Sequence, residues 1–211
     1  MKTQIKLCGF KHIEDINYAS SLDIDYLGMI FVKNLPRSID INVAHNAIKI
    51  CKKNNIKTVG VFLNQGITEI SDVLKSVDLD IIQLHGNENI SDYYELNKPI
   101  IKRMSISDYK SNSPNININR ECMYLIDATN DKMHGGTGQS FDWNLLGGDV
   151  DPETLFIAGG LKPDNILELL TSCTPMCVDV SSGIEYEVGH KDHALMSEFV
   201  NKVRTYNEEQ N

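Results

Sequence analysis

Eight short apolar runs limit what this chain can fold into more than any other feature. They are Ile5–Gly9, Tyr26–Val32, Thr58–Leu63, Ile81–Gly86, Ile100–Met104, Met123–Asp127, Leu155–Gly160 and Met176–Ser182, and each closes in small, polar or reactive residues. Several are continuously apolar instead of alternating, the pattern of parallel strands covered on both faces. Segments of helical period lie between most of them. Asn42–Asn54 sets Val43, Ala47, Ile50 and Cys51 on one face and Lys49, Lys52 and Lys53 on the other, and Thr68–Val77 and Lys191–Tyr206 behave similarly. Pro163 with Asp164 and Asn165 is expected to open a further helix, since a first turn has no use for the missing N–H.

Strand–helix alternation repeated eight times leaves an open doubly wound sheet or a closed (β/α)8 barrel. No glycine-rich GxGxxG follows the first run, which favours the barrel. The expected fold is therefore α/β, a single TIM-barrel domain over residues 1–211. One unit is deficient. Ile106–Arg120 is rich in Asn and Ser and broken by Pro114, so the fifth helix is expected to be short or replaced by a loop. That economy, with short loops elsewhere, lets 211 residues close a barrel that typically takes about 250.

Charge and cysteine usage narrow the partners. A net charge of −9 argues against a nucleic-acid binder held by counterion release, but leaves room for a small anion gripped by a local cluster of donors. Cys8, Cys51, Cys122, Cys173 and Cys177 are odd in number and scattered, which suggests neither a disulfide framework nor a zinc ribbon. The histidines form no HExxH pattern, so no metal is expected. The start is not that of a signal peptide, and no apolar run approaches the ~20 residues that span a bilayer. The expectation is a cytoplasmic protein without nucleic-acid or membrane partners. It is expected to be a monomer, with a homodimer as the alternative, because no exposed apolar stripe is evident.

In a parallel barrel, chemistry gathers where the strands end. The strand ends here supply Cys8, Asn64, Gln83, His85, Arg103, Asp127, Gly159-Gly160 and Ser181-Ser182-Gly183, with Arg37 in the loop after the second run. The turns at Gly160 and at Ser182-Gly183 close the last two strands, where many barrels bind phosphate through backbone N–H groups; plain tight turns are the competing reading. For Cys8 alone, composition favours a buried inert thiol. Asp127, after an apolar stretch, must be hydrogen-bonded at the mouth or functional. At ordinary pKa values and pH 7 roughly 3% of a cysteine is thiolate and about one aspartate in a thousand is protonated, so a Cys base and an Asp acid both need tuning by their surroundings. His85 is a rival acid or base, or else a structural histidine. Arg37 would suit a bidentate grip on a carboxylate. The Gly135–Gly138 run reads as a mobile loop or a plain connector.

Taken in order, these segments resemble the phosphoribosylanthranilate isomerase family of tryptophan biosynthesis. The motifs are KLCGF, YLGMIF, LPRSI, VGVFLN, IIQLHGNE, LIDAT with GGTGQSFDW, IAGGLKPDN and VDVSSGIEYEVGHKD. Together they cover nearly the whole chain; indole-glycerol-phosphate synthase and the histidine-pathway isomerase fit less well. The resemblance implies an Amadori rearrangement of N-(5-phosphoribosyl)anthranilate without metal or organic cofactor. It implies Asp127 as the general acid, Cys8 as the general base, Arg37 on the anthranilate carboxylate, and Gly160 with Ser182 and Gly183 on the phosphate; His85 is expected among the substrate contacts. The family usually has serine before the Pro-Arg pair, where this chain has Leu35. Two other readings remain: a catalytically silent barrel that keeps phosphate binding, and a related sugar-phosphate isomerase of relaxed specificity.

Overall fold

A computed structural model of the chain describes residues 2–112, 122–127 and 155–210. Each of the eight runs becomes a strand: β1 (Gln4–Cys8), β2 (Tyr26–Ile30), β3 (Lys57–Phe62), β4 (Ile81–Leu84), β5 (Ile100–Met104), β6 (Cys122–Asp127), β7 (Leu155–Ala158) and β8 (Cys177–Val180). They pair in sequence order, all parallel, and β8 returns to β1 to close the barrel. The closing register sets Gln4 beside Cys177 and Lys6 beside Asp179.

The strands read as continuously apolar because both of their faces are covered. One alternate set, Tyr26, Val59, Ile81, Ile101, Leu125, Phe156 and Cys177, forms a cluster inside the barrel. The other set, including Ile5, Leu7, Leu27, Phe62, Ile82, Ile100, Ile126, Ile157 and Val178, belongs to a larger shell packed under the helices. Those helices are α1 (Ile13–Ala19), α2 (Ile41–Lys53), α3 (Ile67–Ser76), α4 (Ile106–Asn112), α5 (Ile166–Ser172) and α6 (His193–Glu209). In α2, Ala44, Ala47, Ile48 and Cys51 are buried, and Asp40 caps its start by accepting from the Asn42 N–H at 2.8 Å. Pro163 sits in the turn just before α5, where the Ile166 N–H bonds the Lys162 carbonyl. Between β8 and α6 a hairpin forms from β9 (Glu185–Glu187) and β10 (His190–Lys191), reversing at Gly189 with φ 82°.

Among the described residues, two units depart from the even pattern. The fifth carries α4, a short helix of seven residues inside a segment whose composition reads as loop. Ser105 starts it by accepting from the Asp108 N–H at 3.0 Å, and its own Ile106 and Tyr109 are buried. Pro114 and the asparagine-rich remainder lie outside the described residues, as does the Gly135–Gly138 run. The fourth unit has no α-helix; a 3-10 segment, Ile90–Leu96, takes its place. It ends at Asn97 in the left-handed region with φ 52°, and its buried Tyr93 donates to the Gln65 carbonyl at 2.8 Å.

Phe156 is fully buried inside the barrel and packs at a tilt on Tyr26 with ring centroids 5.4 Å apart. Phe156→Ala is expected to lower unfolding free energy by about 3–5 kcal/mol through lost transfer energy and a residual cavity. Equilibrium urea unfolding, with an unchanged slope against denaturant, is the measurement that checks it.

Candidate active site

The C-terminal ends of the strands surround a pocket of about 260 Å³. Its lining includes Cys8 from β1, Gln83 and His85 at the end of β4, Asp127 from β6, Gly159-Gly160 after β7, Asp179 from β8, and Ser181-Ser182. Arg37 and Leu35 reach it from the loop after β2. Of the residues expected from sequence, Cys8, Arg37, His85, Asp127, Gly160 and Ser182 therefore meet in one cavity. Gly183 stands just behind it for a steric reason: a Cβ there would lie 1.8 Å from the Leu161 carbonyl oxygen. The turns after β7 and β8 can approach each other only because position 183 carries no side chain. Gly159 and Gly160 both hold positive φ, 98° and 66°, and a Cβ at Gly160 would meet open space. The chain conformation demands glycine there, and the space above it remains for a ligand.

Cys8 is buried, and Gly28 on the neighbouring strand makes room for it, since a Cβ at that position would come within 2.6 Å of Sγ. Beneath the thiol, two residues back and on the same face of β1, Lys6 is wholly buried and pairs with Asp179 at 2.8 Å. Burial raises the Cys8 pKa above its ordinary value; Lys6 and Lys191 pull it down, and Asp179 pushes it up. For Lys6 burial also opposes the charge, but Asp179 and Cys8 overcome it and the net shift is upward. The ammonium is thus held charged directly below the thiol, and the resting group is the thiol.

His85 Nε2 lies 3.7 Å from Asp127 Oδ2, too far for a hydrogen bond. Burial is the largest influence on the ring and holds its pKa below the ordinary 6.5 despite the pull of Asp127, so the imidazole is neutral near pH 7. Gln83 Nε2 donates to His85 Nδ1 at 3.1 Å, which leaves the ring proton on Nε2, facing the carboxylate. The loop carrying His85 is fixed by Glu88, which accepts from the Gly86 N–H at 2.9 Å and pairs with the buried Lys102 at 2.9 Å. Two buried acceptors in the pocket lining, Gln83 Oε1 and Asp179 Oδ1, have no hydrogen-bond partner among the described residues.

Arg37 is already gripped from behind. Glu185 accepts from its Nε at 2.8 Å and its Nη2 at 2.7 Å, a bidentate pair that raises the Arg37 pKa and, with Lys191, overcomes burial to lower that of Glu185. This fixes the guanidinium while leaving the Nη1 edge for a second carboxylate. Sequence reasoning had not singled out Lys6, Asp179, Glu185 or Lys191. The signal was charge inside otherwise apolar strands, at Lys6 in IKLC and Asp179 in VDV.

A closed parallel barrel whose mouth combines a thiol over an ammonium, a carboxylate beside a neutral imidazole, an oriented guanidinium and two glycine turns defines a (β/α)8-barrel enzyme for small anionic molecules. The family model for N-(5'-phosphoribosyl)anthranilate (PRA) isomerase matches residues 5–202. The N-(5'-phosphoribosyl)anthranilate isomerase of Thermoanaerobacter sp. (strain X514) is 35% identical over 205 residues, 95% of this chain and 98% of that protein. That of Pseudomonas aeruginosa (strain LESB58) is 33% identical over 96% of this chain and 95% of its own length. The crystal structure of phosphoribosyl anthranilate isomerase from Thermotoga maritima superposes with a TM-score of 0.80 at 30% identity, covering 96% of this chain and 99% of that one. A further solved structure of the enzyme, in complex with reduced 1-(o-carboxyphenylamino)-1-deoxyribulose 5-phosphate, gives a TM-score of 0.78 at 27% identity over 96% of this chain and 99% of that chain. The chain belongs to the N-(5'-phosphoribosyl)anthranilate isomerase family.

Because the Cys8 pKa is raised from 9.0, alkylation of Cys8 by iodoacetamide should climb about tenfold per pH unit below a midpoint above 9.0. Lys6→Met removes the nearest cation and leaves Asp179, so the midpoint should move further alkaline. Peptide mapping of the labelled cysteine at each pH tests both; an unchanged profile in Lys6→Met would show that Lys6 does not tune the thiol.

Proposed function

We propose that Cys8 is the general base and Asp127 the general acid of the family's reaction. That reaction is the Amadori rearrangement of N-(5'-phosphoribosyl)anthranilate to 1-(2-carboxyphenylamino)-1-deoxyribulose 5-phosphate, a step of tryptophan biosynthesis. The observation that carries the assignment is the meeting of both groups in one pocket, on strands β1 and β6, with anion-binding elements around its rim. In the reactive form the single proton of the pair stands on Asp127 and Cys8 is the thiolate; Asp127 gives that proton to the ribose ring oxygen, and the ring opens to a protonated Schiff base. Cys8, as thiolate, then takes the proton from C2, and the electron pair moves to form the enolamine, which tautomerises to the ketone. Lys6 supports this step by favouring the thiolate at the moment it is needed.

The phosphate rests on the Gly160 and Ser182-Gly183 turns: open space at Gly160 lets it approach the main chain, and Gly183 lets the second turn close against the first. Arg37 holds the anthranilate carboxylate. Gln83 and Asp179 line the part of the pocket that receives the ribose. His85, neutral and hydrogen-bonded to Gln83, contacts the substrate beside Asp127.

Residues 1–211 are read as one barrel domain that works as a cytoplasmic monomer on a small-molecule substrate. Among the described residues no helix is long and apolar enough to cross a membrane. One solved relative, from Thermotoga maritima, is described as dimeric and as converted to monomers, so light scattering on this chain is the direct check of its own state.

With phosphoribosylanthranilate generated in situ, turnover is followed by the loss of anthranilate-type fluorescence. Cys8→Ala and Asp127→Asn should each lower kcat by about 10²–10⁴-fold with KM changed only a few-fold. Full activity in Cys8→Ala would place the base elsewhere, with His85 the next residue to test.

A further inference from the structure

The hairpin after β8 contributes two side chains, Glu185 and Lys191, to which the steps above give no direct contact with the substrate. Lys191 is fully buried at its side chain, yet its ammonium reaches two different parts of the site. Nζ donates to the Ser181 carbonyl at 3.0 Å and to Glu185 Oε1 at 2.9 Å, and lies 5.3 Å from the centre of the Phe10 ring. Ser181 begins the turn assigned to phosphate. Glu185 is the carboxylate that grips Arg37. The hairpin is seated from behind, where the Lys191 N–H donates to Asp15 Oδ2 at 3.3 Å and Asp15 Oδ1 lies 3.0 Å from His193 Nε2.

The two ends also converge in space. A Cβ at Gly9, which has φ 80°, would lie 2.8 Å from Ser181 Oγ, 3.1 Å from Arg37 Cδ and 3.5 Å from Lys191 Nζ. The bare backbone after β1 thus forms the fulcrum around which the phosphate turn, the arginine and the lysine close. Two cations serve one carboxylate there, so excess positive charge remains at the rim of an otherwise acidic protein.

We propose that Lys191 is a positioning residue that ties the two anion-binding ends of the site together, through Ser181 on the phosphate side and Glu185 on the carboxylate side. Its ammonium sets the span between phosphate and carboxylate that the enzyme accepts. Glu185 transmits only the carboxylate half of that constraint. The inference rests on the assignment of Arg37 to the substrate carboxylate and of the Ser181–Gly183 turn to the phosphate.

The test compares wild type, Lys191→Met, Glu185→Gln and Arg37→Met by three readouts. These are KM and kcat for phosphoribosylanthranilate, the same constants for phosphoribosylaniline, which lacks the carboxylate, and the Ki of inorganic phosphate as competitor. Glu185→Gln should lose about 10–100-fold of the preference for the carboxylated substrate, the scale of a charge-assisted hydrogen bond, while the phosphate Ki stays within about threefold of wild type. Lys191→Met should lose a similar preference and also weaken phosphate by about tenfold or more, mainly in KM and Ki with kcat less affected. A folded Lys191→Met that moves only one end, or neither, overturns the proposal. So does a Glu185→Gln that leaves substrate preference intact, which keeps the test decisive even if Lys191→Met does not fold. Arg37→Met separates the two levels: if it keeps the preference, the carboxylate assignment fails, while the phosphate Ki of Lys191→Met still reports on the tie to Ser181.

Discussion

The buried ion pair between Lys6 and Asp179 sits on the seam where the barrel closes, and the site is arranged around it. The two residues are register partners on β1 and β8, so the pair exists only when the first and last strands meet. Such a pair contributes little net stability, since two ions give up hydration to form it, but removing one partner strands the other and costs about 3–5 kcal/mol. Its value here is placement. It fixes a cation beneath Cys8, brings an unpartnered carboxylate oxygen to the pocket, and does both only in the closed barrel. Closure of the fold and assembly of the reactive end are therefore one event.

The same logic extends around the rim. The Arg37 guanidinium, proposed to receive the substrate's carboxylate, is held by Glu185, which is held in turn by Lys191. Positioning of this kind lowers the entropy that binding must overcome, because the receiving side chain is ordered before the ligand arrives. The overall charge of −9 is an outer-surface property: it says how the protein meets solvent and nothing about the cationic corner within.

Much of this was legible in the residues. All eight strands fall on the apolar runs, and Ile100–Met104 agrees to the residue, because burial on both faces leaves an unbroken hydrophobic signature. The strand-end rule then placed Cys8, His85 and Asp127 at one mouth. What stayed hidden depends on contacts between distant parts of the chain. Lys6 and Asp179 are 173 residues apart, and no local period pairs them. The grip of Glu185 on Arg37 spans 148 residues and needs a hairpin that a reading in whole helices and strands passes over. The 3-10 segment of the fourth unit is likewise not a matter of local propensity: its Tyr93 reaches the Gln65 carbonyl, a tertiary contact.

The gap that Gly28 leaves beside Cys8 also bears on how this active site can change. A side chain at position 28 and a thiol at position 8 compete for the same few cubic ångströms, so the two positions form a single volume shared by neighbouring strands. Sequence drift can enlarge one only by shrinking the other. The reach of whatever base the first strand carries is thereby set by its neighbour, and a longer acid or base at position 8 has to find its room upward, in the space the substrate uses. The barrel's chemistry is in this sense metered by an absent side chain one strand away.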